Sequence, residues 1–213
     1  DIQAKLIAPK IRECGGLEEY VIRQYAIADD RFYVEGEEYK RLPTRKVADY
    51  VLKYKELTIA VLEAKAEDED IQKHLAQVQD YAQRMDVPIA YITNGKRSLI
   101  FDRRTLKTED VDTYLSPEEL YKIYLVWKGL DKVSTEPLNY PLYITGTKRP
   151  RAYQETAIKS VIENIVKGNK KTLLTMATGT GKTFTAFQII WKLVKSKKMH
   201  RVLFLTDRIF LKD

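Results

Sequence analysis

Residues 177–183 read Ala-Thr-Gly-Thr-Gly-Lys-Thr and decide the fold of this chain. An apolar run at 172–176 comes before them and predicts a buried strand, and an amphipathic run at 183–194 comes after them and predicts a helix. Glycines in a turn from strand to helix allow several backbone N–H groups to point at one anion, at the positive end of the helix dipole. The stretch therefore predicts a phosphate-binding loop.

The residue types in this loop suit ATP with a bound Mg2+ ion. Lys182 is expected to reach the β- and γ-phosphates, and the hydroxyl of Thr183 is expected to hold the metal. The alternative is an ordinary strand-to-helix turn with an incidental lysine. Position 176 departs from the full pattern, because it holds Met where the pattern has glycine. The other residues expected around the phosphates are Thr178, Gly179, Thr180 and Gly181.

The composition is that of a folded intracellular protein. Hydrophobic residues make up 44% of the 213 residues, which permits a real core. The net charge of +7 suits a polyanionic partner without requiring one, because solvated lysine faces are common. Cys14 is the only cysteine, so no internal disulfide can form, and no apolar run reaches membrane-spanning length. We therefore expect a cytoplasmic protein without a membrane segment.

The two ends of the chain predict a piece of a larger protein. The chain starts at Asp1 without Met and stops at Asp213, one predicted strand (201–206) after the phosphate loop. In such ATPases the carboxylate that holds Mg2+ and polarises water normally lies on a later strand. We therefore expect that these residues alone do not turn over ATP.

Hydrophobic periodicity predicts an α/β fold in three parts, at 1–115, 116–150 and 151–213. Ser116 is a strong N-cap, followed by Pro117 and by Glu119 in the capping-box position. The first part is predicted to begin with a helix at 2–14, extended segments at 20–26 and 31–35, and strands at 47–54 and 57–64. A helix from 68, closed by Pro88, is predicted to follow. The part is then predicted to end with strands at 87–93 and 96–102 around a two-residue Asn94-Gly95 turn, and with a loop at 103–115. The rest is predicted as a helix from 116 to about 128, a linker at 130–150, a helix at 152–166 and the strand–loop–helix–strand unit around the phosphate loop.

Charged residues on two neighbouring strands form a candidate metal site. Glu63 and Lys65 share one face of a predicted strand, because alternate residues of a strand point the same way. Leu57, Ile59 and Val61 are expected on the same face, so it is apolar until it reaches the charges. Charges at the end of a buried face are costly unless they are paired or bind metal.

Asp49 lies in the preceding strand and would oppose Glu63 if the connecting turn holds three residues. The two carboxylates would then offer the oxygen ligands that suit Mg2+, and Lys65 would orient or activate water that attacks a phosphodiester. The alternative is a surface hairpin with a Glu–Lys pair. Gln77 and Tyr81 lie one turn apart on the following helix. They could position Lys65 or contact DNA, or they could lie on a solvated helix face.

The segment before the phosphate loop holds a candidate adenine contact. Residues 149–154 read Arg-Pro-Arg-Ala-Tyr-Gln and open the helix predicted at 152–166. A glutamine amide can donate and accept in one plane, so Gln154 could bind the amino group and N7 of adenine together. The alternative is an ordinary helix start.

Asp49 with the run Glu63-Ala64-Lys65 resembles the PD-(D/E)xK signature of restriction-endonuclease-like nucleases, with Ala48 where the usual proline stands. Gln77 and Tyr81 resemble the Gln-x-x-x-Tyr motif of one branch of these enzymes. The resemblance implies Asp49 and Glu63 as metal ligands and Lys65 as a catalytic residue.

The second part resembles the beginning of a RecA-like domain of superfamily 2 helicases. A phosphate loop that opens Met-Ala-Thr-Gly is similar to those of DNA and RNA motor ATPases. The segment with Gln154 resembles the Q motif of these helicases, which implies Gln154 on adenine and Arg151 or Tyr153 near the base.

The order of nuclease unit, helical connection and motor resembles the motor and cleavage (R) subunit of type I restriction enzymes. That resemblance implies an ATP-dependent translocase on double-stranded DNA with a Mg2+-dependent endonuclease, working with methylation and specificity subunits. Two alternatives stay open. One is a superfamily 2 helicase whose first domain binds nucleic acid without cutting it, and the other is a nuclease–helicase of repair or mobile-element defence.

Overall fold

The computed structural model describes residues 8–15, 21–27, 32–35, 38–41, 46–146 and 149–205, and they form a mixed α/β fold. The strands are β1 (Val21–Ala26), β2 (Phe32–Glu35), β3 (Glu38–Arg41), β4 (Val47–Tyr54), β5 (Leu57–Ala64), β6 (Ile89–Thr93), β7 (Ser98–Asp102) and β8 (Lys107–Asp110). The helices are α1 (Ala8–Glu13), α2 (Leu75–Met85), α3 (Pro117–Lys128), α4 (Glu136–Asn139), α5 (Ala152–Val166) and α6 (Lys182–Lys195), and a 3-10 turn at Ile71–His74 leads into α2.

A six-stranded sheet in the order β1-β4-β5-β6-β7-β8 forms the centre of the fold, and β2 pairs with β3 separately. β5 and β6 run parallel, whereas the other neighbours in the sheet are antiparallel. The parallel pair requires a crossover, which the 3-10 turn and α2 provide. The α/β class predicted from periodicity is confirmed.

Helices cover both faces of the sheet. α2 packs on one face, where Val78 and Ala82 share a core with Val51 and Val61. The core on the other face reaches from the sheet through α3 to the helices that follow. Its members include Tyr50, Leu62, Leu120, Tyr124, Leu138, Ile158, Ile162 and Leu193. Burial on both faces explains why every residue of β5 but the last is buried.

A β-bulge sets the register between β4 and β5. The turn between these strands holds Lys55 and Glu56 alone rather than the three residues that the sequence argument required. Ile59 supplies the extra residue, opposite the step from Leu52 to Lys53. On the side of the bulge away from the turn, β4 and β5 therefore pair in the register that a three-residue turn would give.

The bulge also changes which side chains share a face. Leu57 and Ile59 pack in the core below α3, whereas Val61 packs in the core below α2. The expectation that all three share one face was wrong, because an inserted residue reverses the alternation of a strand. Glu63 shares the face of Val61 and lies beneath α2.

Several local predictions are confirmed. Ser116 accepts a hydrogen bond from the backbone N–H of Glu119 in a capping box, and Gly129 ends α3 in the left-handed conformation at φ 62°. The extended segments at 20–26 and 31–35 contain β1 and β2. The first helix is present as α1, and residues 2–7 lie outside the described ranges.

The turn between β6 and β7 is longer than predicted. Thr93 pairs with Ser98, so residues 94–97 form the turn in place of a two-residue Asn94-Gly95 turn. The side chain of Asn94 accepts a hydrogen bond from the backbone N–H of Arg97 at 2.9 Å. Such side-chain bonds to nearby backbone stabilise a turn that does not follow the shortest hairpin geometry.

Two segments expected to be irregular contain regular structure. The loop at 103–115 contains β8, an edge strand without apolar residues that could have marked it in the sequence. The linker at 130–150 contains α4, and its Leu130 and Leu138 are fully buried. Because both leucines pack in the core that contains α3, the segment at 130–150 is packed against the rest of the fold.

The strands predicted on either side of α6 are absent from the described structure. Residues 172–176 and 201–205 pair with none of the described strands, and Leu173 and Leu203 are 92% and 82% exposed. Residue 206, the last of the strand predicted at 201–206, lies outside the described ranges. These predictions were wrong, because an apolar run becomes a strand only when a neighbouring strand accepts its backbone hydrogen bonds. α6 itself is present and begins at Lys182. Within the described ranges, none of the helices has the length and apolarity that a membrane crossing requires.

Candidate functional site

Asp49 is fixed by hydrogen bonds to both of its carboxylate oxygens. The backbone N–H of Ala64, at the end of β5, donates to Oδ2 at 2.9 Å. The side-chain amide of Gln24, on β1, donates to Oδ1 at 3.0 Å. Asp49 is therefore held between the two strands that flank β4.

Glu63, Lys65 and Gln77 form a closed triangle of hydrogen bonds. The ammonium of Lys65 lies 2.9 Å from Oε1 of Glu63 and 3.0 Å from Oε1 of Gln77. Nε2 of Gln77 donates to the same Oε1 of Glu63 at 2.8 Å. Glu63 lies on β5 and Lys65 follows directly after that strand, and the side-chain amide of Gln77, on α2, binds both.

Tyr81 anchors this triangle to the sheet. Its hydroxyl accepts a hydrogen bond from Nε2 of Gln77 at 2.8 Å and donates to the backbone carbonyl of Val47 at 3.3 Å. Tyr81 is buried and Gln77 is half-buried. A solvated helix face, the alternative considered for this pair, is therefore wrong.

The second oxygen of Glu63 is buried without a hydrogen-bond partner. Glu63 is 5% exposed, and its Oε2 makes no hydrogen bond. Burial raises the pKa of this carboxyl above its ordinary value, the hydrogen bond from Lys65 opposes the rise, and the charge of Asp49 adds to it. An ionised carboxylate with one bare, buried oxygen is unfavourable unless a cation or a proton compensates it.

The residues present fit a Mg2+ ion. Mg2+ is typically bound by one or two carboxylates, with water and substrate phosphate oxygens in the other positions. Asp49 and Glu63 supply two carboxylates, and Oε2 of Glu63 makes no hydrogen bond. No cluster of three or more His, Cys, Asp or Glu side chains suited to a metal occurs in the part of the chain that the structure describes. A surface hairpin with an exposed Glu–Lys pair is excluded by the burial of β5.

Two glycines of the predicted phosphate loop have a left-handed backbone. Gly179 and Gly181 adopt left-handed conformations with φ of 79° and 85°, where side chains are strained. The ammonium of Lys182 folds back into the loop and donates to the carbonyls of Met176 and Ala177, each at 3.2 Å. Those loop carbonyls therefore hold the lysine that is expected to bind phosphates. Thr178, Gly179 and Thr183 are exposed, and Thr180 is half-buried.

Gln154 packs against the phosphate loop. Its Nε2 donates to the carbonyl of Thr180 at 2.8 Å, and its Oε1 accepts from the backbone N–H of Arg151 at 2.9 Å. Gln154 is 6% exposed, whereas Arg151 is exposed. The hydroxyl of Tyr153 also donates to the carbonyl of Thr180, at 2.8 Å. The structure thus gives Gln154 a contact with the loop, and its contact with adenine stays a prediction.

A buried charge cluster joins α2 to α5. The ammonium of Lys159 donates to the carbonyls of Met85 and Asp86 at 3.0 and 2.9 Å. The carboxylate of Asp86 pairs with Arg103 at 3.2 Å and with Lys128. Burial lowers the pKa of Lys159 to about 8, against the opposing charge of Asp86. This cluster and Gln24 were missed by sequence reasoning, because neither forms a recognisable spacing.

Comparisons with known proteins match both parts of the chain. Residues 23–117 match the family described as "Type I restriction enzyme EcoKI endonuclease subunit second domain", and residues 147–213 match "Type III restriction enzyme, res subunit". The first range contains the carboxylate site and the second contains the phosphate loop. Both ranges are thus similar to subunits of restriction enzymes.

Three individual relatives are subunits of type I restriction enzymes. The chain is 40% identical over 222 residues to the type I restriction enzyme EcoAI endonuclease subunit of Escherichia coli, with 100% of the chain and 27% of that protein covered. It is 36% identical over 138 residues to the EcoKI endonuclease subunit of Escherichia coli K12, and this match covers 59% of the chain and 12% of that protein. A solved fragment assigned as an HsdR subunit of a type I restriction enzyme from Vibrio vulnificus YJ016 superposes with a TM-score of 0.79 at 35% identity, over 92% of this chain and 38% of that chain.

The chain is therefore a homologue of type I restriction enzyme endonuclease (HsdR) subunits. It spans about a quarter of the length of the EcoAI subunit. A shorter match, 42% identical over 55 residues, links 26% of the chain to 8% of the UvrABC system protein B of Streptococcus pyogenes.

Proposed function

We propose that this chain carries the DNA-cutting site of a type I restriction enzyme endonuclease subunit, joined to the beginning of an ATP-driven motor. The observation that carries the proposal is the bare, buried Oε2 of Glu63 beside Asp49 and Lys65. Homology to endonuclease subunits over the full chain supports it. In this proposal the first part has the PD-(D/E)xK nuclease fold, and the second begins a RecA-like superfamily 2 domain.

The cutting site divides its work among five side chains. Asp49 and Glu63 would hold the metal through carboxylate oxygens. Mg2+, when bound, supplies stabilisation of negative charge on the scissile phosphodiester. Lys65 orients or activates the attacking water, and Gln77 keeps its ammonium in one position. Tyr81 fixes Gln77 in turn.

The phosphate loop binds ATP and its Mg2+ in this proposal. The ammonium of Lys182, which now binds two loop carbonyls, would bind phosphate oxygens, and the exposed hydroxyl of Thr183 would hold the metal. Gln154 keeps a second amide hydrogen and a second lone pair after its contacts with the loop and with Arg151, so it can still bind adenine.

The partner of both activities is double-stranded DNA. The excess of basic residues, +7 over the chain, suits a polyanion. The whole protein would pull the duplex past itself with ATP and cut it, in a complex with methylation and specificity subunits. The homology to type I subunits supports this assembly.

Variants of the full-length subunit in the assembled enzyme test the proposal. Asp49→Ala and Lys65→Ala should each abolish cutting of circular duplex DNA while ATP hydrolysis stays largely intact. Lys182→Ala should remove both activities, because cutting requires translocation. Cutting that survives Asp49→Ala or Lys65→Ala would contradict the proposal and would favour a helicase whose first domain binds nucleic acid without cutting it.

A further inference from the structure

Gln24 adopts a backbone conformation that its position in the fold does not explain. Its φ is +52°, in the left-handed region, where residues other than glycine are strained. The other non-glycine residues with positive φ in the described ranges lie in turns or just after helices. They are Lys55, Asp86, Leu106 and Lys197. Gln24 instead lies inside β1.

The register of the sheet places Gln24 directly across from Asp49. Arg23 pairs with Tyr50 and Tyr25 pairs with Ala48, so the residues between them face each other. The amide Nε2 of Gln24 donates to Oδ1 of Asp49 at 3.0 Å. Strained residues of this kind persist where the surrounding structure holds them, and they cluster at active sites. The observed strain and the contact with Asp49 therefore point to one role.

We propose that Gln24 is a positioning residue of the cutting site, which fixes the carboxylate of Asp49 for metal binding. This inference rests on the proposed nuclease function. Ala64 holds one oxygen of Asp49 through its backbone, and Gln24 holds the other, so the carboxylate cannot rotate freely. Each oxygen keeps further lone pairs for a cation.

The chemistry of Gln24 suits this role better than that of a lysine or arginine. A cationic donor would neutralise Asp49 and compete with Mg2+ for the same charge. A neutral amide orients the carboxylate and leaves its full negative charge available to the metal. Gln24 is exposed, so its side chain is held by Asp49 rather than by burial.

The test compares Gln24→Gly with Lys55→Gly in the full-length subunit within the assembled enzyme. Both positions have φ +52° and exposed side chains, so glycine relieves the same backbone strain at each. Only Gln24 contacts Asp49. The melting temperature of Gln24→Gly should therefore lie close to that of Lys55→Gly. It should lower the cutting rate at limiting Mg2+ by about 10- to 100-fold, as loss of a metal-orienting partner typically does.

Cutting by Gln24→Gly should recover as Mg2+ is raised, and ATP hydrolysis should be unchanged. Three results would overturn the role of Gln24: wild-type cutting and Mg2+ dependence, lost cutting without a higher Mg2+ requirement, or a melting temperature well below that of Lys55→Gly. Asp49→Ala, measured alongside, separates this inference from the proposed function. Inactive Asp49→Ala with wild-type Gln24→Gly refutes the inference alone, whereas active Asp49→Ala refutes the nuclease assignment itself.

Discussion

Lys65 and Glu63 form an ion pair at 2.9 Å that engages only one of the two carboxylate oxygens. Lys65 and Gln77 both bind Oε1, and Oε2 is buried without a donor. A purely structural ion pair would be more stable with both oxygens satisfied, because buried charges need all their hydrogen bonds. The one-sided pairing supports the proposed role of Glu63 as a metal ligand held by a neighbouring lysine.

Gln77→Ala should weaken cutting strongly without unfolding the protein. The change removes the amide that holds both Lys65 and Glu63, and loss of such supporting partners typically lowers metal affinity or activity by about 10- to 100-fold. Cutting of circular duplex by the assembled enzyme measures the effect. Gln79→Ala is the matched control, since it makes the same change at an exposed position of α2. Equal cutting by the two variants would contradict the role given to Gln77.

The protonation of Glu63 should make stability depend on pH in a defined direction. Burial raises its pKa above the ordinary value of 4.5, so the folded protein favours the protonated form. The stabilisation is present below the unfolded pKa and is lost as pH rises through the folded pKa. In EDTA, the free energy of unfolding of the wild type should therefore fall relative to Glu63→Gln as pH rises above 4.5.

Urea denaturation at a series of pH values measures this difference, and added Mg2+ should reduce it at the higher pH values. Glu67→Gln is the control, because it makes the same change at an exposed carboxyl. Parallel pH curves for the wild type and Glu63→Gln would show that the Glu63 carboxyl is not perturbed.

Gly181→Ala should weaken ATP binding in the full-length subunit. A methyl group at this position would lie 2.4 Å from Nε2 of Gln154, so the buried amide would have to leave the carbonyl of Thr180. Loss of that contact and of the loop geometry should lower affinity by about tenfold, on the order of 1.4 kcal/mol. Gly168→Ala has a similar positive φ with nothing within 4 Å and provides the control. Titration with a fluorescent ATP analogue that shows equal affinity for both variants would contradict the loop contact.

Asp86→Asn should destabilise the fold through the buried cluster between α2 and α5. The change removes the carboxylate that pairs with Lys128 and lies 3.9 Å from the ammonium of Lys159, so Glu163, 3.7 Å from Lys128, is the carboxylate that remains beside them. Breaking a buried ion pair typically costs about 3–5 kcal/mol, and the partial exposure of Asp86 favours the lower end of that range. Asp110→Asn breaks an exposed pair with Arg97 and should cost much less, because solvent screens exposed pairs. Equal losses by chemical denaturation would contradict the importance of the cluster.

Simple periodicities predicted from the sequence that Glu63 lies beside Lys65 and Gln77 beside Tyr81, whereas the contact between the two pairs was one of several alternatives and came from the structure. Residues two apart share a strand face, and residues four apart share a helix face. The bulge at Ile59 could not be predicted, since it depends on pairing with β4 rather than on a local signal. The register that places Asp49 opposite Glu63 was expected from a three-residue turn. The strands reach the same register through a two-residue turn and a bulge.

Two other features of the structure could not be predicted from the sequence. The left-handed φ of Gln24 leaves no trace in the sequence, because glutamine has no preference for that region. The apolar runs at 172–176 and 201–205 look like buried strands, yet strand formation depends on neighbours far away in sequence. Local patterns therefore predicted the longer helices, missed the four-residue α4, and failed for these two runs, where distant pairing decides.

Binding of Mn2+ in place of Mg2+ tests the central claim most directly. Electron paramagnetic resonance of the nucleotide-free subunit should detect a bound Mn2+ in the wild type and in Lys182→Ala. The same ion should be lost from Asp49→Ala and from Glu63→Gln, because the two carboxylates supply its protein ligands. Equal Mn2+ binding by all four proteins, or none by the wild type, would contradict a metal-dependent cutting site at Asp49 and Glu63.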